Sequence, residues 1–147
     1  MAISERFIQR RAALSNHGKI WWTELNTWDA EVAKSYYGVV MGWTFQEGPT
    51  AGTNNPRPYY IALQDGQPVA GIFTMVKPDF EGLPNHWFTY IAVNDLAQAI
   101  SDSNSAGGSV RRDPFDIPGI GTIAIIADTN GAVMGFIQLS EDAPGSS

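Results

Sequence analysis

The chain has 147 residues, of which 44% are hydrophobic and 16% are charged, and its formal net charge is −6. This length and composition are typical of one globular domain that buries roughly 70% of its unfolded surface. The acidic balance excludes a general affinity for nucleic acid or anionic membranes, because both bind clustered cations. The sequence contains no cysteine, which excludes disulfides, thiolate metal sites and a cysteine nucleophile.

The start of the sequence carries no recognisable targeting signal. Residues 1–18 lack the apolar core and the cleavage site of a secretory signal, and no run approaches the roughly 20 apolar residues of a membrane span. We therefore expect a cytoplasmic protein without a membrane partner. Residues 1–18 are predicted to form an N-terminal arm, and the small, polar residues 140–147 are predicted to form a disordered tail.

A strand and a helix are the first predicted elements, within WWTELNTWDAEVAKSYYGVVMGW. Asp29 suits the N-cap of the helix, and Gly42 supplies a left-handed stop. The apolar residues of the helix recur at helical spacing: Ala33, Tyr36, Tyr37 and Val40. Three strands follow, WTFQEG, YYIALQD and PVAGIFTMV, with a polar Gly/Pro-rich loop and the turn DGQ between them. Residues 19–76 thus form a βαβββ module.

The same order of elements returns in the second half of the chain. A shift of 66 positions places Asp29 on Asp95 and Trp22 on Phe88. After the helix that begins at Asp95 come the strands SVRRDPF, GTIAIIAD and AVMGFIQL, with DIPGIG and DTNG as turns. Such internal repetition indicates a duplicated unit. Residues 86–139 are therefore predicted to form a second βαβββ module.

The two modules predict a single α+β domain over residues 19–139. One helix covers only one face of the strands in its module. Pairing two modules into a curved mixed sheet, with the helices outside, leaves a central cavity that is a natural ligand site. The sequence leaves open whether the modules pair within one chain or between the two chains of a homodimer.

The duplicated modules resemble the vicinal oxygen chelate superfamily, the glyoxalase, bleomycin-resistance and dioxygenase type. The similarity rests on ELNTWDAEVAKSYYGVVMGW in the first module and on YIAVND, AGG and DIPGIGTIAIIADTNGAVMGF in the second. A subgroup of uncharacterised bacterial glyoxalase-like proteins, some described as hydroxylases, shares YYGVVMGW and DTNGAVMGF. Enzymes of the family hold a divalent metal through His, Gln or Glu on the first and last strand of each module and use it as a Lewis acid.

The resemblance places the four metal-ligand positions of the family on Trp22, Gly71, Phe88 and Gly135. None of these side chains carries the carboxylate, carbonyl or imidazole donor that such a cation requires. We therefore expect neither a metal nor another cofactor. The enzyme chemistry of the family is not expected to carry over.

Strand alternation predicts which side chains face the cavity. The predicted ligand-binding residues are Trp22, Glu24, Gly71, Phe73, Phe88, Tyr90 and Gly135. Aromatic walls from the opening strands and bare glycines from the closing strands favour a flat apolar or aromatic ligand. In an alternative interpretation the aromatic rings fill the space as core, and the glycines leave them room.

Three residues are candidates for catalysis: Glu24, His86 and Tyr90. Glu24 and Tyr90 occupy equivalent positions in the two modules, so a carboxyl and a phenol are predicted to face each other, and aromatic surroundings should raise the pKa of Glu24. His86 precedes the fifth strand and suits the cavity mouth as a donor or base, with a structural role as the alternative.

The other ionisable residues are expected to be structural or solvated. His17 is expected to be solvated in the arm. Arginines at the rim are expected to be solvated, with anion binding as the alternative: Arg57, Arg111 and Arg112. Three aspartates are expected to lie in turns: Asp113, Asp116 and Asp128.

Together these patterns predict a metal-free protein that binds a small apolar or aromatic molecule and has no nucleic-acid partner. The alternative is an enzyme of the family's class, a lyase, isomerase or oxygenase-type hydroxylase, with a non-standard site at Glu24, His86 and Tyr90. A third interpretation is a structural or partner-binding domain whose cavity is filled.

Overall fold

The fold was obtained as a computed structural model, which describes residues 16–48 and 55–141. In chain order, the elements of these residues are β1 (Ile20–Thr27), α1 (Ala30–Met41), β2 (Thr44–Glu47), β3 (Tyr60–Gln64), β4 (Gln67–Thr74), β5 (His86–Ala92), α2 (Leu96–Ser105), β6 (Ser109–Ile117), β7 (Gly121–Ala127) and β8 (Val133–Leu139). The predicted α+β class and the two βαβββ repeats are confirmed. Most of the predicted arm and of the predicted tail lies outside the described residues.

Both helices begin at the aspartates that were predicted to cap them. The Asp29 carboxylate accepts a hydrogen bond from the backbone N–H of Val32 at 3.1 Å, and Asp95 accepts one from Gln98 at 3.1 Å. Each bond satisfies a backbone donor that has no partner within the helix. Gly42 ends α1 with a φ of 73°, which glycine adopts without steric cost. Neither helix of the described residues is long and apolar enough to cross a membrane.

The hairpin between β6 and β7 differs from the prediction. The segment DIPGIG was predicted as a turn, but β6 continues through Ile117. Asp113 and Asp116 therefore lie in a strand, and the Asp116 carboxylate accepts a hydrogen bond from the Thr122 hydroxyl of β7 at 2.7 Å. This cross-strand bond extends the pairing beyond the point where glycine and proline suggested that it ends. Asp128 does lie in a turn.

The chain divides into two compact units, of which the first is Trp22–Tyr90. Its strands follow the order β2-β3-β4-β1-β5. β1 runs parallel to β4 and places Glu24 opposite Gly71, while β3 is antiparallel to both of its neighbours. This unit therefore contains a mixed sheet.

The described part of the second unit comprises residues 16–21 and 91–141. Here β7 pairs antiparallel with both β6 and β8. Its core under α2 consists of Val93, Leu96, Ala124 and Ile126. The predicted cavity between the repeats stays a prediction.

The core of the first unit lies between α1 and one face of its strands. Leu25, Ala33 and Ile72 are buried there, and Tyr37 packs against them. Because side chains alternate along a strand, Glu24 belongs to the face of β1 that is turned away from α1. The face of β1 opposite α1 thus carries the candidate site.

Candidate ligand-binding site

A buried carboxyl group lies at the centre of the candidate site. Only 7% of Glu24 is exposed. Its Oε1 accepts hydrogen bonds from the Tyr90 hydroxyl at 3.2 Å and from the Asn26 amide at 3.3 Å, and Tyr59 makes a further side-chain hydrogen bond to the carboxyl. The predicted proximity of Glu24 and Tyr90 is therefore present in the structure.

The surroundings of Glu24 act on its protonation in two opposite directions. Burial raises its pKa from 4.5 to about 7, because the charged form loses its hydration. The hydrogen bonds from Tyr59, Tyr90 and Asn26 stabilise the charged form and limit this rise. The carboxyl therefore exchanges its proton near neutral pH. It can accept a hydrogen bond when ionised and donate one when protonated.

Tyr59 links Glu24 to Trp22 and was not among the predicted site residues. The indole Nε1 of Trp22 donates to the Tyr59 hydroxyl at 2.9 Å. Burial raises the pKa of Tyr59 well above its usual 10.0, and the nearby Glu24 charge adds to this effect, so the phenol keeps its proton. The sequence indicated only that Tyr59 begins a strand. The alternation of side chains along a strand shows which face of the sheet a residue occupies, but it does not show which residue of another strand it contacts.

Gly71 makes room for the Tyr59 ring. A Cβ at Gly71 would overlap the Tyr59 hydroxyl and would lie 2.9 Å from Nε1 of Trp22. This differs from the predicted open recess, because the space over Gly71 is taken by the protein itself. For this position the structure agrees with the alternative, in which a glycine leaves room for a core aromatic residue. A glycine at a buried strand position was the sequence signal for such a close approach.

Two further aromatic pairs lie in the first unit, and one of them includes Tyr90. Phe88 packs edge-on against Tyr90 with ring centroids 5.1 Å apart. Phe73 packs in the same manner against Phe80, which lies between β4 and β5, at 5.3 Å. These residues are only half-buried, as is Trp22, so part of each ring is accessible. Apart from Gly135, the predicted ligand-binding residues therefore form two separate groups within the first unit. Phe73 pairs with Phe80, and the other group contains Trp22, Glu24, Gly71, Phe88 and Tyr90.

The remaining predicted residue, Gly135, belongs to the second unit. It is buried in β8 and pairs with Ile125 of β7. Gly135 has no side chain that could contact a ligand, so its predicted role was only to leave space for one.

Both histidines make hydrogen bonds to backbone atoms, His86 locally and His17 to a residue far along the chain. Nδ1 of His86 lies 2.7 Å from the carbonyl oxygen of Pro84, which can only accept, so this nitrogen carries the proton. The His86 ring centroid lies 6.5 Å from that of Phe88, next to the aromatic group. His17 is exposed, yet its Nδ1 accepts from the backbone N–H of Asn94 at 3.0 Å. His17 thus supports the chain just before α2.

Arg57 lines a separate small cleft at the beginning of α1. The cleft has a volume of about 210 Å³ and also contains Asp29, Glu31 and Tyr60. The two carboxylates offset the charge of Arg57, and ligand pockets usually measure about 300–1,000 Å³. Neither property favours the anion site that was the alternative for this arginine.

The metal that the family resemblance implied does not fit these residues. The Trp22 side chain offers only an indole N–H, which donates to Tyr59 and has no lone pair for a metal. The side chains of Phe88, Gly71 and Gly135 provide no ligand atom. Within residues 16–48 and 55–141, no three His, Cys, Asp or Glu side chains come together as a ligand set. Glu24, which is buried and receives hydrogen bonds from Tyr90, Asn26 and Tyr59, is the polar centre of this site.

Known proteins share both the sequence pattern and the fold. The profile of the Glyoxalase/Bleomycin resistance protein/Dioxygenase superfamily matches residues 19–136. The chain is 35% identical over 117 residues to CFP32 of Mycobacterium tuberculosis, a provisionally named glyoxylase. It is 29% identical over 122 residues to the anthracycline biosynthesis protein DauV of Streptomyces sp. strain C5.

These matches cover 80% and 76% of the chain but only 44% and 43% of the two relatives. The chain thus spans less than half the length of the curated relatives that it matches. The crystal structure of methylmalonyl-CoA epimerase from Mycobacterium tuberculosis matches with a TM-score of 0.60, covering 86% of this chain and 91% of that chain. At 14% identity, this likeness shows the fold alone.

Proposed function

Because the chain belongs to the Glyoxalase/Bleomycin resistance protein/Dioxygenase superfamily, whose metal its residues do not fit, we propose that it binds a small, largely apolar or aromatic molecule without a metal. The buried Glu24 carboxyl, held by Tyr59, Tyr90 and Asn26, carries this proposal. Glu24 takes the place of a metal as the polar anchor for the ligand. The cytoplasmic location expected from the sequence is part of the same proposal.

The ligand chemistry follows from the groups around Glu24. Half-buried rings of Trp22, Phe88 and Tyr90 provide faces and edges on which a flat apolar molecule packs favourably. A hydroxyl or amine on that molecule donates to the Glu24 carboxylate. DauV, to which the chain is similar, is named for anthracycline biosynthesis, and this name is compatible with the proposed ligand class.

Ligand binding is expected to change the fluorescence of Trp22 and to raise the melting temperature. A panel of aromatic compounds tests this, because any compound that binds only the folded state stabilises it, by about 2.7 kcal/mol at a concentration 100 times Kd. The chain contains five tryptophans, so the response must be assigned. We expect Trp22→Phe to reduce the change in emission and Trp87→Phe to preserve it, since Trp87 contacts Tyr37 on the α1 side.

Two outcomes of this experiment contradict the proposal. In the first, no compound alters either the emission or the melting temperature. In the second, the response survives in Trp22→Phe and disappears in Trp87→Phe. Binding should also persist after treatment with EDTA, and stoichiometric Zn, Ni, Fe or Mn in the purified protein would contradict metal-free binding.

The protonation of Glu24 favours one second candidate, an enzyme that moves a proton. A carboxyl with a pKa of about 7 can take a proton from a bound substrate at neutral pH, and the phenols of Tyr59 and Tyr90 can donate hydrogen bonds beside it. Such a reaction belongs to the isomerase or lyase classes. Glu24→Gln tests this second candidate. If the protein is an enzyme, the variant should lose turnover of the substrate while it keeps most of the binding that stacking on the aromatic rings provides.

A further inference from the structure

The buried Glu24 carboxyl is surrounded by hydrogen-bond donors but not by positive charge. Its side-chain partners, Tyr59, Tyr90 and Asn26, are all neutral groups that donate to it. In the part of the chain that the structure describes, no Lys, Arg or His side chain acts on the protonation of Glu24. The carboxylate therefore receives hydrogen bonds while its charge stays unbalanced.

Trp22 fixes the direction of one of these hydrogen bonds. The indole N–H can only donate, and it donates to the Tyr59 hydroxyl oxygen at 2.9 Å. With its oxygen accepting from Trp22, Tyr59 directs its own proton to Glu24. The bare backbone of Gly71 leaves the space in which the two side chains meet. These contacts favour the ionised form of Glu24 over the neutral acid.

The basic side chains of the same unit lie elsewhere. Trp22–Tyr90 contains seven carboxylates against three Lys and Arg side chains, which gives a formal charge of −4. Lys34 forms an ion pair within α1 at 2.6 Å, and Arg57 lines the cleft at the beginning of α1. Lys77 is exposed in the loop after β4. Among the described residues of the unit, none supplies the balancing charge for Glu24.

Aromatic rings lie beside this carboxylate. The Tyr90 hydroxyl contacts Glu24 directly at 3.2 Å, and Trp22 is linked to it through Tyr59. Phe88 packs edge-on against Tyr90 with ring centroids 5.1 Å apart. The rings of Trp22, Phe88 and Tyr90 are half-buried. The face of such a ring carries a partial negative charge that attracts an ammonium group.

We propose that the ligand of this site is an aromatic cation, a flat molecule whose protonated amine pairs with Glu24. The proposal rests on the proposed function and narrows its ligand class to molecules that carry an ammonium group. An ammonium donates to a carboxylate in a charge-assisted hydrogen bond, which is stronger than the bond from a neutral hydroxyl. It also supplies the opposite charge without which a buried carboxylate is unfavourable.

Charge separates this ligand class from two others. A neutral aromatic alcohol donates to Glu24 but leaves the charge of the carboxylate unbalanced. An aromatic carboxylate is repelled by Glu24 and by the charge of −4 on the unit, whereas the same field attracts a cation. The expected order of affinity is therefore cation, alcohol and anion.

Three compounds with the same ring system test this order. They are 2-(aminomethyl)naphthalene, which is a cation at pH 8, the neutral 2-naphthalenemethanol, and the anion 2-naphthoate. In isothermal titration calorimetry at pH 8, the amine is expected to bind the unmodified chain about tenfold more tightly than the alcohol. The anion is expected to bind most weakly. At pH 5.5 the affinity for the amine should fall by up to about 30-fold, because little of Glu24 is then ionised.

Two matched variants locate the charge that selects the cation. Glu24→Gln removes the buried charge at nearly constant volume and is expected to bind the amine and the alcohol with similar affinity. Glu47→Gln removes one negative charge as well, but Glu47 is exposed in β2. This control is expected to keep the preference for the amine.

Three results would overturn the proposal: equal binding of the amine and the alcohol by the unmodified chain, tighter binding of the amine at pH 5.5 than at pH 8, or a preference for the amine that Glu24→Gln retains. In each case an aromatic molecule still binds, so the proposed function stands. Absence of binding by all three compounds would overturn the proposed function together with the cation.

Discussion

Replacement of Gly71 by alanine is expected to lower the free energy of unfolding by about 3 kcal/mol, a large effect for one added methyl group. The new Cβ would occupy the position of the Tyr59 hydroxyl. Gly71 is buried in β4, so the strand has little freedom to move away. If the Tyr59 ring moves instead, it loses its hydrogen bonds to Trp22 and Glu24. Urea unfolding of the variant measures the loss.

Two comparisons identify the cause of this destabilisation. Gly38→Ala is the matched control, because its Cβ would meet Trp43 O at an ordinary 3.6 Å, and alanine favours a helix more than glycine does by about 1 kcal/mol. In a Tyr59→Ala background the added cost of Gly71→Ala is expected to fall to a fraction of its original value. An equal cost in both backgrounds would show that Tyr59 is not the obstacle.

The stability of the protein is expected to fall by about 3 kcal/mol between pH 4.5 and pH 8 through Glu24 alone. Below pH 4.5 the carboxyl is protonated in both the folded and the unfolded chain. Between 4.5 and about 7 the unfolded chain loses this proton while the folded chain keeps it, so the free energy of unfolding decreases as the pH rises. Above about 7 both states are ionised and the contribution of Glu24 becomes constant.

Glu24→Gln isolates this contribution from that of the other ionisable groups. The difference in free energy of unfolding between the unmodified chain and this variant should change across the same pH range, in favour of the variant at high pH. Tyr90→Phe removes one hydrogen bond to the charged carboxylate, so the decrease should still begin near pH 4.5 but continue to a higher pH. Parallel profiles of the unmodified chain and Glu24→Gln would mean that Glu24 titrates as a solvated carboxyl does.

Local sequence signals placed most of the fold correctly. Asp29 and Asp95 cap the helices because a short acidic side chain reaches the backbone donors three residues later, which depends on neighbouring residues alone. The internal repeat placed Glu24 and Tyr90 at equivalent positions, and the structure joins them by a hydrogen bond. The internal repeat of the sequence thus indicated a long-range contact that local secondary-structure propensity does not contain.

Other features depend on contacts that no periodic pattern contains. Tyr59 lies just before β3, and its position over Gly71 follows from the path of the chain into that strand. The helix α1 is apolar on more than one side, so spacing alone grouped Ala33 and Tyr37, which pack in the core, with Tyr36 and Val40, which are exposed. Only the packing partners distinguish these two sides.

The most direct test of the proposed ligand anchor is a ¹³C NMR titration of the Glu24 carboxyl, assigned by its absence from Glu24→Gln. In the free protein we expect a midpoint near pH 7. Saturating 2-naphthol should lower this midpoint, because its hydroxyl donates to the ionised carboxylate, whereas 2-methoxynaphthalene, which has no donor, should not. A midpoint near 4.5 that neither compound changes would contradict a buried carboxyl that anchors the ligand.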